Sequence, residues 1–226
     1  MPTASIPPNL RAHLEEDLKP LLRGWIHTIT TPVSFVAALI LLVLAPTIST
    51  RVASAVYLVC TITLFGMSAL YHRIDWQPRA LAIMRRIDHS NIFLLIAGTY
   101  TPICVATLPR YDATMCLSIV WIGAALGIGT AIFWPTAPRW LTTLIYIVLG
   151  WVAIWYLPQL WVTAGPTIVI LLFAGGLLYT IGAVVYGFKW PDPAPETFGF
   201  HEVFHSFTVL GWVCHCVAAY LAVIAH

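Results

Sequence analysis

Long runs without a charged residue constrain this chain more than any other feature. No Lys, Arg, Asp or Glu occurs in the 27 residues between Arg23 and Arg51, or in the 49 between Arg139 and Lys189. Four more such runs cover residues 52–72, 89–109, 113–138 and 203–226. A helix rises about 1.5 Å per residue, so roughly 20 apolar residues cross a hydrocarbon core about 30 Å thick. Five runs therefore hold one membrane span each, and the 49-residue run holds two.

The fold class that follows is all-α, a multi-pass protein of the cell membrane with seven transmembrane helices. With only 9% of its residues charged, the chain has too few polar groups to cover a soluble globule. A transmembrane barrel would alternate polar and apolar residues over short segments instead of running continuously apolar. The predicted spans are 25–45, 52–72, 88–108, 114–134, 140–157, 166–186 and 201–224, with breaks in the longest run at residues 157–159 and at Gly165-Pro166.

The loop charges predict the orientation. Alternating the loops across the membrane puts nine basic residues on one side: Arg11, Lys19, Arg23, Arg73, Arg79, Arg85, Arg86, Arg139 and Lys189. Only Arg51 and Arg110 remain on the other side. Positively charged loops stay in the cytoplasm, so we expect a cytoplasmic N-terminus and an external C-terminus.

The chain divides into a cytoplasmic segment, 1–24, and a transmembrane domain, 25–226. Residues 1–23 lack the apolar core of a secretory signal peptide, so we expect the first span to act as an uncleaved signal anchor. Leucines recur at helical spacing at positions 10, 14, 18 and 21, which suggests an interfacial amphipathic helix. A disordered polar tail ending near Pro20 is the alternative.

Histidines at the span ends are the candidates for chemistry, because ionisable groups are expensive inside a membrane. His201 and His205 share one helix face, so both imidazoles can reach one metal ion. In the predicted topology, His72 and Asp88 end and begin spans at the same cytoplasmic level, and Ser68 lies one turn from His72. Three imidazoles with a carboxylate and a hydroxyl are the usual composition of a catalytic zinc site.

Three stretches of this sequence resemble the hemolysin III family. Residues 68–72 match its Ser-x-x-x-His, 88–102 resemble its third-helix signature, and 200–207 resemble its seventh-helix His-x-x-x-His. The wider group includes progestin and adipoQ receptors and, more distantly, alkaline ceramidases. The resemblance implies a seven-helix bundle with Zn²⁺ bound by His72, His201 and His205. It also implies that Asp88 and Ser68 hold the water bound to that zinc.

Other polar positions carry weaker expectations. Relatives often open the first helix with Asn…Ser-His-Gly, whereas this chain reads Trp-Ile-His-Thr, so His27 is kept only as a residue supporting the ligands. His89 is expected to contact an interface or headgroup, and His215 to be buried and hydrogen-bonded. Glu202 is expected on the solvated rim. The five cysteines form no CxxC pair and are expected to be free thiols.

Two kinds of function remain open. The first is a zinc-dependent hydrolase of a lipid amide or ester, with membrane lipids, and not nucleic acid, as its partners. The second is a cytolysin forming pores, or a receptor, in which zinc is structural. Three histidines with a carboxylate also suit iron(II) or manganese.

Overall fold

The computed structural model describes residues 20–225 as a bundle of seven helices. They are α1 (Trp25–Leu44), α2 (Ile48–Arg73), α3 (Pro78–Thr107), α4 (Arg110–Phe133), α5 (Arg139–Thr163), α6 (Pro166–Phe188) and α7 (Phe200–Ala225). Each is long and apolar enough to cross a membrane, and no strand occurs among the described residues. The prediction of an all-α, multi-pass membrane protein is confirmed. Most of the segment 1–24, including the predicted interfacial helix at Leu10, Leu14 and Leu18, lies outside the described residues.

Helices that follow each other along the chain pack side by side, and α7 closes the bundle against α1. The most buried helix is α3, which contacts α2, α4, α5 and α7, and 67% of its most apolar window is inside the protein. The corresponding share for α5 is 11%, the smallest of the seven. The bundle is therefore tightly packed around α3 and open beside α5.

Two predicted boundaries are wrong. The third helix begins at Pro78 and not at residue 88, so Asp88 lies about 15 Å along α3 instead of at its start. Proline at a first helical position needs no hydrogen-bond acceptor, which suits Pro78 as a start. The extra turns carry Arg79, Arg85 and Arg86.

The other error concerns α5, predicted as 140–157 with a break at residues 157–159. The helix tightens to a 3-10 helix at Trp151–Tyr156 and then continues to Thr163. Tyr100 of α3 holds the tightened segment, because its hydroxyl donates to the Gly150 carbonyl and accepts from the Ala153 N–H, each at 2.7 Å. Pro158 lies in the first turn of the restarted helix, where proline is tolerated.

Glycines on α4 allow neighbouring helices to approach closely. A Cβ atom at Gly127 would lie 2.3 Å from the Phe93 ring of α3, and one at Gly123 would lie 2.5 Å from Leu149 of α5. Gly129, two residues further along α4, has no atom within 4 Å of such a position.

We expect Gly127→Ala to destabilise the bundle and Gly129→Ala to leave it unchanged or slightly more stable. The methyl group at 127 overlaps a buried aromatic ring, and overpacking of this kind costs about 1–3 kcal/mol. At 129 the alanine only improves helix propensity. Thermal unfolding of the two variants in one detergent measures the difference; equal Tm values would contradict the packing assigned to Gly127.

The orientation from loop charge gives a second prediction. An epitope placed before residue 1 should be detected only after the membrane is permeabilised, and one placed after residue 226 should be detected in intact cells. Reducing the charge bias, by replacing Arg79, Arg85 and Arg86 with Gln, should weaken this preference. Detection of the N-terminal epitope in intact cells would contradict the assignment.

Candidate metal centre

Three imidazole rings meet at one end of the bundle. His72 lies in the last turn of α2, while His201 and His205 occupy the first two turns of α7. The Nε2 atoms of His72 and His201 are 3.1 Å apart, and one ring nitrogen from each of the three histidines lies within 4.8 Å of the others. The sequence separates His72 from His201 by 129 positions, so this convergence is a property of the fold.

The donor set fits a transition-metal ion. Zinc binds imidazole nitrogen at about 2.0–2.1 Å, so two ligands in a tetrahedron lie about 3.4 Å apart. The separations in the cluster span that value, and the rings of His72 and His205 are buried. The three histidines can therefore hold one metal ion; imidazole nitrogen suits zinc, iron and copper alike.

Ser68 and Asp88 lie beside this cluster. Ser68 is one turn before His72 on the same buried face of α2, and its side chain neighbours the carboxyl group of Asp88 on α3. Asp88 is only 9% exposed. Among the described residues, the group of potential metal ligands contains the three histidines and not Asp88. The arrangement thus has three candidate ligands, with the carboxylate near them but outside the set.

A fourth histidine packs flat against the cluster. The rings of His27 and His205 are stacked, with centroids 3.8 Å apart and planes 7° from parallel, and the Phe65 ring meets His27 edge-on. His27 is 2% exposed and is not part of the ligand group. Gly24 lets α1 come this close: a Cβ atom there would lie 2.7 Å from the Cβ of His72, and its φ of 80° is one that glycine adopts readily.

Glu202 contradicts the expectation of a solvated position. It is 1% exposed, its Oε1 lies 2.6 Å from Nε of Arg23, and its Oε2 accepts the N–H of Gly199 at 2.9 Å. The carboxylate therefore caps the start of α7 and ties it to the segment before α1. Sequence reasoning placed Arg23 among the loop charges and had no signal for this pairing, since the two residues are 179 positions apart.

The other histidines within residues 20–225, His89 and His215, lie outside the cluster. Nε2 of His215 is 3.1 Å from the carbonyl oxygen of Leu172, which agrees with a buried, hydrogen-bonded role. The backbone carbonyl of His89 accepts from the Tyr146 hydroxyl, and its ring lies near Tyr186. All five cysteines are free thiols, as expected.

A cavity of about 340 Å³ opens next to the histidine cluster. It lies among α3, α4, α5, α6 and α7, and both Asp88 and His201 contribute to its wall. Most of the other lining residues are aliphatic or aromatic, including Tyr186, whose ring is 5.9 Å from that of His201. Apolar cavities of this size with a few convergent polar groups are typical of small-molecule sites.

Comparison with known proteins gives the family. The model of a family described as "Haemolysin-III related" matches residues 16–216. The chain belongs to the hemolysin III family. It is 35% identical over 200 residues to Hemolysin-3 of Bacillus cereus, covering 86% of this chain and 88% of the relative. It is 34% identical over 160 residues to the Hemolysin-3 homolog of Bacillus subtilis (strain 168), covering 71% and 72%.

Membership of the hemolysin III family confirms the resemblance seen in residues 68–72, 88–102 and 200–207, all of which fall inside the matched region. The family match extends over all of α1 to α6 and into α7, so it covers both helices that carry the candidate ligands. The Trp-Ile-His-Thr departure in the first helix lies within it as well.

We expect the histidine cluster to determine metal content. His205→Ala should reduce bound metal from about one ion per chain to a small fraction, because two imidazoles alone bind a divalent ion much more weakly. His215→Ala, on the same helix but outside the cluster, should keep it. Elemental analysis of the purified proteins, normalised to folded protein, measures this. Full metal content in His205→Ala would exclude the site.

Proposed function

We propose that this chain is a zinc-dependent hydrolase of an acyl lipid, cleaving an amide or ester bond within the membrane. One observation carries the proposal: the three-histidine cluster lies beside an apolar cavity between the helices, and His201 and Asp88 both contribute to the wall of that cavity. A site between membrane-spanning helices that combines candidate metal ligands with a carboxylate suits a substrate that has a long apolar chain and one reactive carbonyl.

The donor set favours catalysis over a purely structural ion. Structural zinc sites are closed by four protein ligands, whereas catalytic sites keep three ligands and an open position. Within residues 20–225, three histidines supply the cluster and Asp88 stands outside it. His72, His201 and His205 would hold a zinc ion, which would supply Lewis acidity toward water and a substrate carbonyl.

The side chains of this protein supply the remaining steps. Asp88 accepts a proton from the attacking water, whose oxygen forms the new bond to the acyl carbon, and it then donates that proton to the departing amine or alcohol. Ser68 orients Asp88 or donates a hydrogen bond to the oxygen of the carbonyl as negative charge develops there. The products are a fatty acid and the free amine or alcohol.

A different function is suggested by the names of the relatives, both of which are called hemolysins. In that alternative, the chain disrupts membranes or acts as a receptor, and zinc pins α2 to α7. The two functions differ in their dependence on metal. If the purified protein still lyses target cells after the metal is removed, the second function is favoured.

The test of hydrolysis uses acyl amides and esters in mixed micelles, with mass spectrometry of the fatty acid released. His201→Ala should lose both metal and activity. Asp88→Asn should keep the metal and lose activity by about 10²- to 10⁴-fold, as expected for removal of a general acid–base group. Unchanged hydrolysis in His201→Ala, or no hydrolysis of any amide or ester by the metal-loaded protein, would refute the proposal.

A further inference from the structure

The cavity has a basic end. Three arginines, Arg85, Arg86 and Arg139, contribute to its wall, and Asp88 is the only carboxylate among the described lining residues. Arg85 and Arg86 are exposed, whereas Arg139 is partly buried. These arginines lie near the starts of α3 and α5, so the positive charge is gathered where the cavity approaches the end of the bundle.

Two hydrogen-bond donors at this end lack partners. Nη1 of Arg139 and Oγ1 of Thr143 are both buried, and neither has a hydrogen-bond partner within residues 20–225. Thr143 as a whole is 7% exposed. The two residues are four apart on α5, so their side chains share one helix face, and both contribute to the cavity wall. Buried donors are normally paired, so this pair indicates an acceptor that the cavity receives.

Tyr186 lies between these donors and the histidine cluster. The guanidinium carbon of Arg139 lies 5.7 Å from the centre of the Tyr186 ring, and the His201 ring is 5.9 Å from the same ring between centroids. The face of an aromatic ring attracts a guanidinium group and so helps to fix its position. The basic end of the cavity is thus one aromatic ring away from the candidate ligands.

The order of groups along the cavity is specific. On α3, Arg85 comes first, Asp88 follows about one turn deeper, and apolar positions continue to Tyr100, about 22 Å along the helix from Arg85. From the end of the bundle inward along α3, the cavity wall therefore presents a cation, then a carboxylate, then mostly apolar side chains. A phospholipid presents its parts in the same order: a phosphate, an acyl ester and an acyl chain.

We propose that the substrate is an acyl lipid with an anionic phosphate headgroup, which Arg139 and Thr143 bind while the acyl chain occupies the cavity. This inference rests on the proposed function only where it calls the lipid a substrate. Binding of the lipid by Arg139 and Thr143 does not require hydrolysis. Basic pockets between transmembrane helices on the cytoplasmic side are suited to phosphate headgroups. A bidentate arginine contact adds geometric selection for phosphate over a neutral hydroxyl.

Binding is measured on the full-length protein in a neutral detergent by native mass spectrometry. The probes are a 1-O-alkyl-glycerol-3-phosphate, the 1-O-alkyl-glycerol with the same chain, and the fatty acid of that chain length. The ether bond cannot be hydrolysed, so affinity is read independently of activity. Metal content of each sample is recorded alongside, which separates loss of the headgroup site from loss of the metal centre.

The wild-type protein should bind the phosphate probe about tenfold or more tightly than the alkyl glycerol, because hydrogen bonds to charged groups are among the stronger ones. Arg139→Gln should remove most of that preference, Arg139→Lys should keep part of it, and Thr143→Val should reduce it by a smaller factor. All three should retain the metal. Arg79→Gln is the matched control, since Arg79 is exposed on α3 and does not contribute to the cavity wall.

Three results would overturn the proposal. One is equal affinity of the wild-type protein for the phosphate probe and the alkyl glycerol. Another is an equal loss of preference for the phosphate probe in Arg79→Gln and Arg139→Gln. That result would mean that the preference comes from the general attraction of a basic membrane face. The third is Arg139-dependent binding of the fatty acid without binding of the phosphate probe. If the preference holds but no lipid is hydrolysed, the site stands as a lipid-binding site and only the proposed function fails.

Discussion

Imidazole nitrogens buried in a lipid-facing bundle must find a partner, and that constraint organises one end of this protein. A polar group transferred from water to an apolar medium without a partner costs about 2–7 kcal/mol, depending on the reference state. His72 and His201 meet nitrogen to nitrogen at 3.1 Å, an arrangement that a shared metal ion satisfies for both rings at once. A metal bound there would join the end of α2 to the start of α7.

The first helix is fitted around that junction. Gly24 gives the space for His72, the His27 ring covers His205, and the Arg23–Glu202 ion pair ties the entry of α1 to the first turn of α7. Removing one member of a buried ion pair leaves an uncompensated charge, which is strongly destabilising. The three elements at the site are therefore held by contacts of different kinds: the approach of the His72 and His201 nitrogens, ring stacking and paired charges.

Looser packing elsewhere makes room for a ligand. The small buried share of α5 contrasts with the dense environment of α3, and the cavity lies along the side where these helices are separated. The 3-10 segment Trp151–Tyr156, held by Tyr100, shapes its inner part, since Gly150, Trp151 and Tyr100 all contribute to the wall. One bundle thus combines a buried histidine cluster with an adjacent cavity whose wall is mostly apolar.

Patterns in the sequence predicted the structural features that depend on residues close together along the chain. The apolar runs gave seven spans, and the four-residue spacing of His201 and His205 placed both on one face of α7. The predicted topology added His72, Asp88 and Ser68, and the resemblance assigned roles to them; the fold brings all three near His201 and His205. The helix boundaries at Pro78 and Thr163 were missed, because proline in a first turn and a tyrosine from another helix decide them.

The tertiary structure decided how the helices are rotated against one another, which no local pattern contains. It buried Glu202 against Arg23, stacked His27 on His205 and turned Arg139 and Thr143 toward the cavity. Each of these contacts joins helices, or a helix and a distant segment, whose relative rotation follows from the packing of glycines and large side chains along the whole bundle. The sequence by itself determined that the chain spans the membrane seven times and carries histidines at one end; only the packing determined which polar groups those histidines meet.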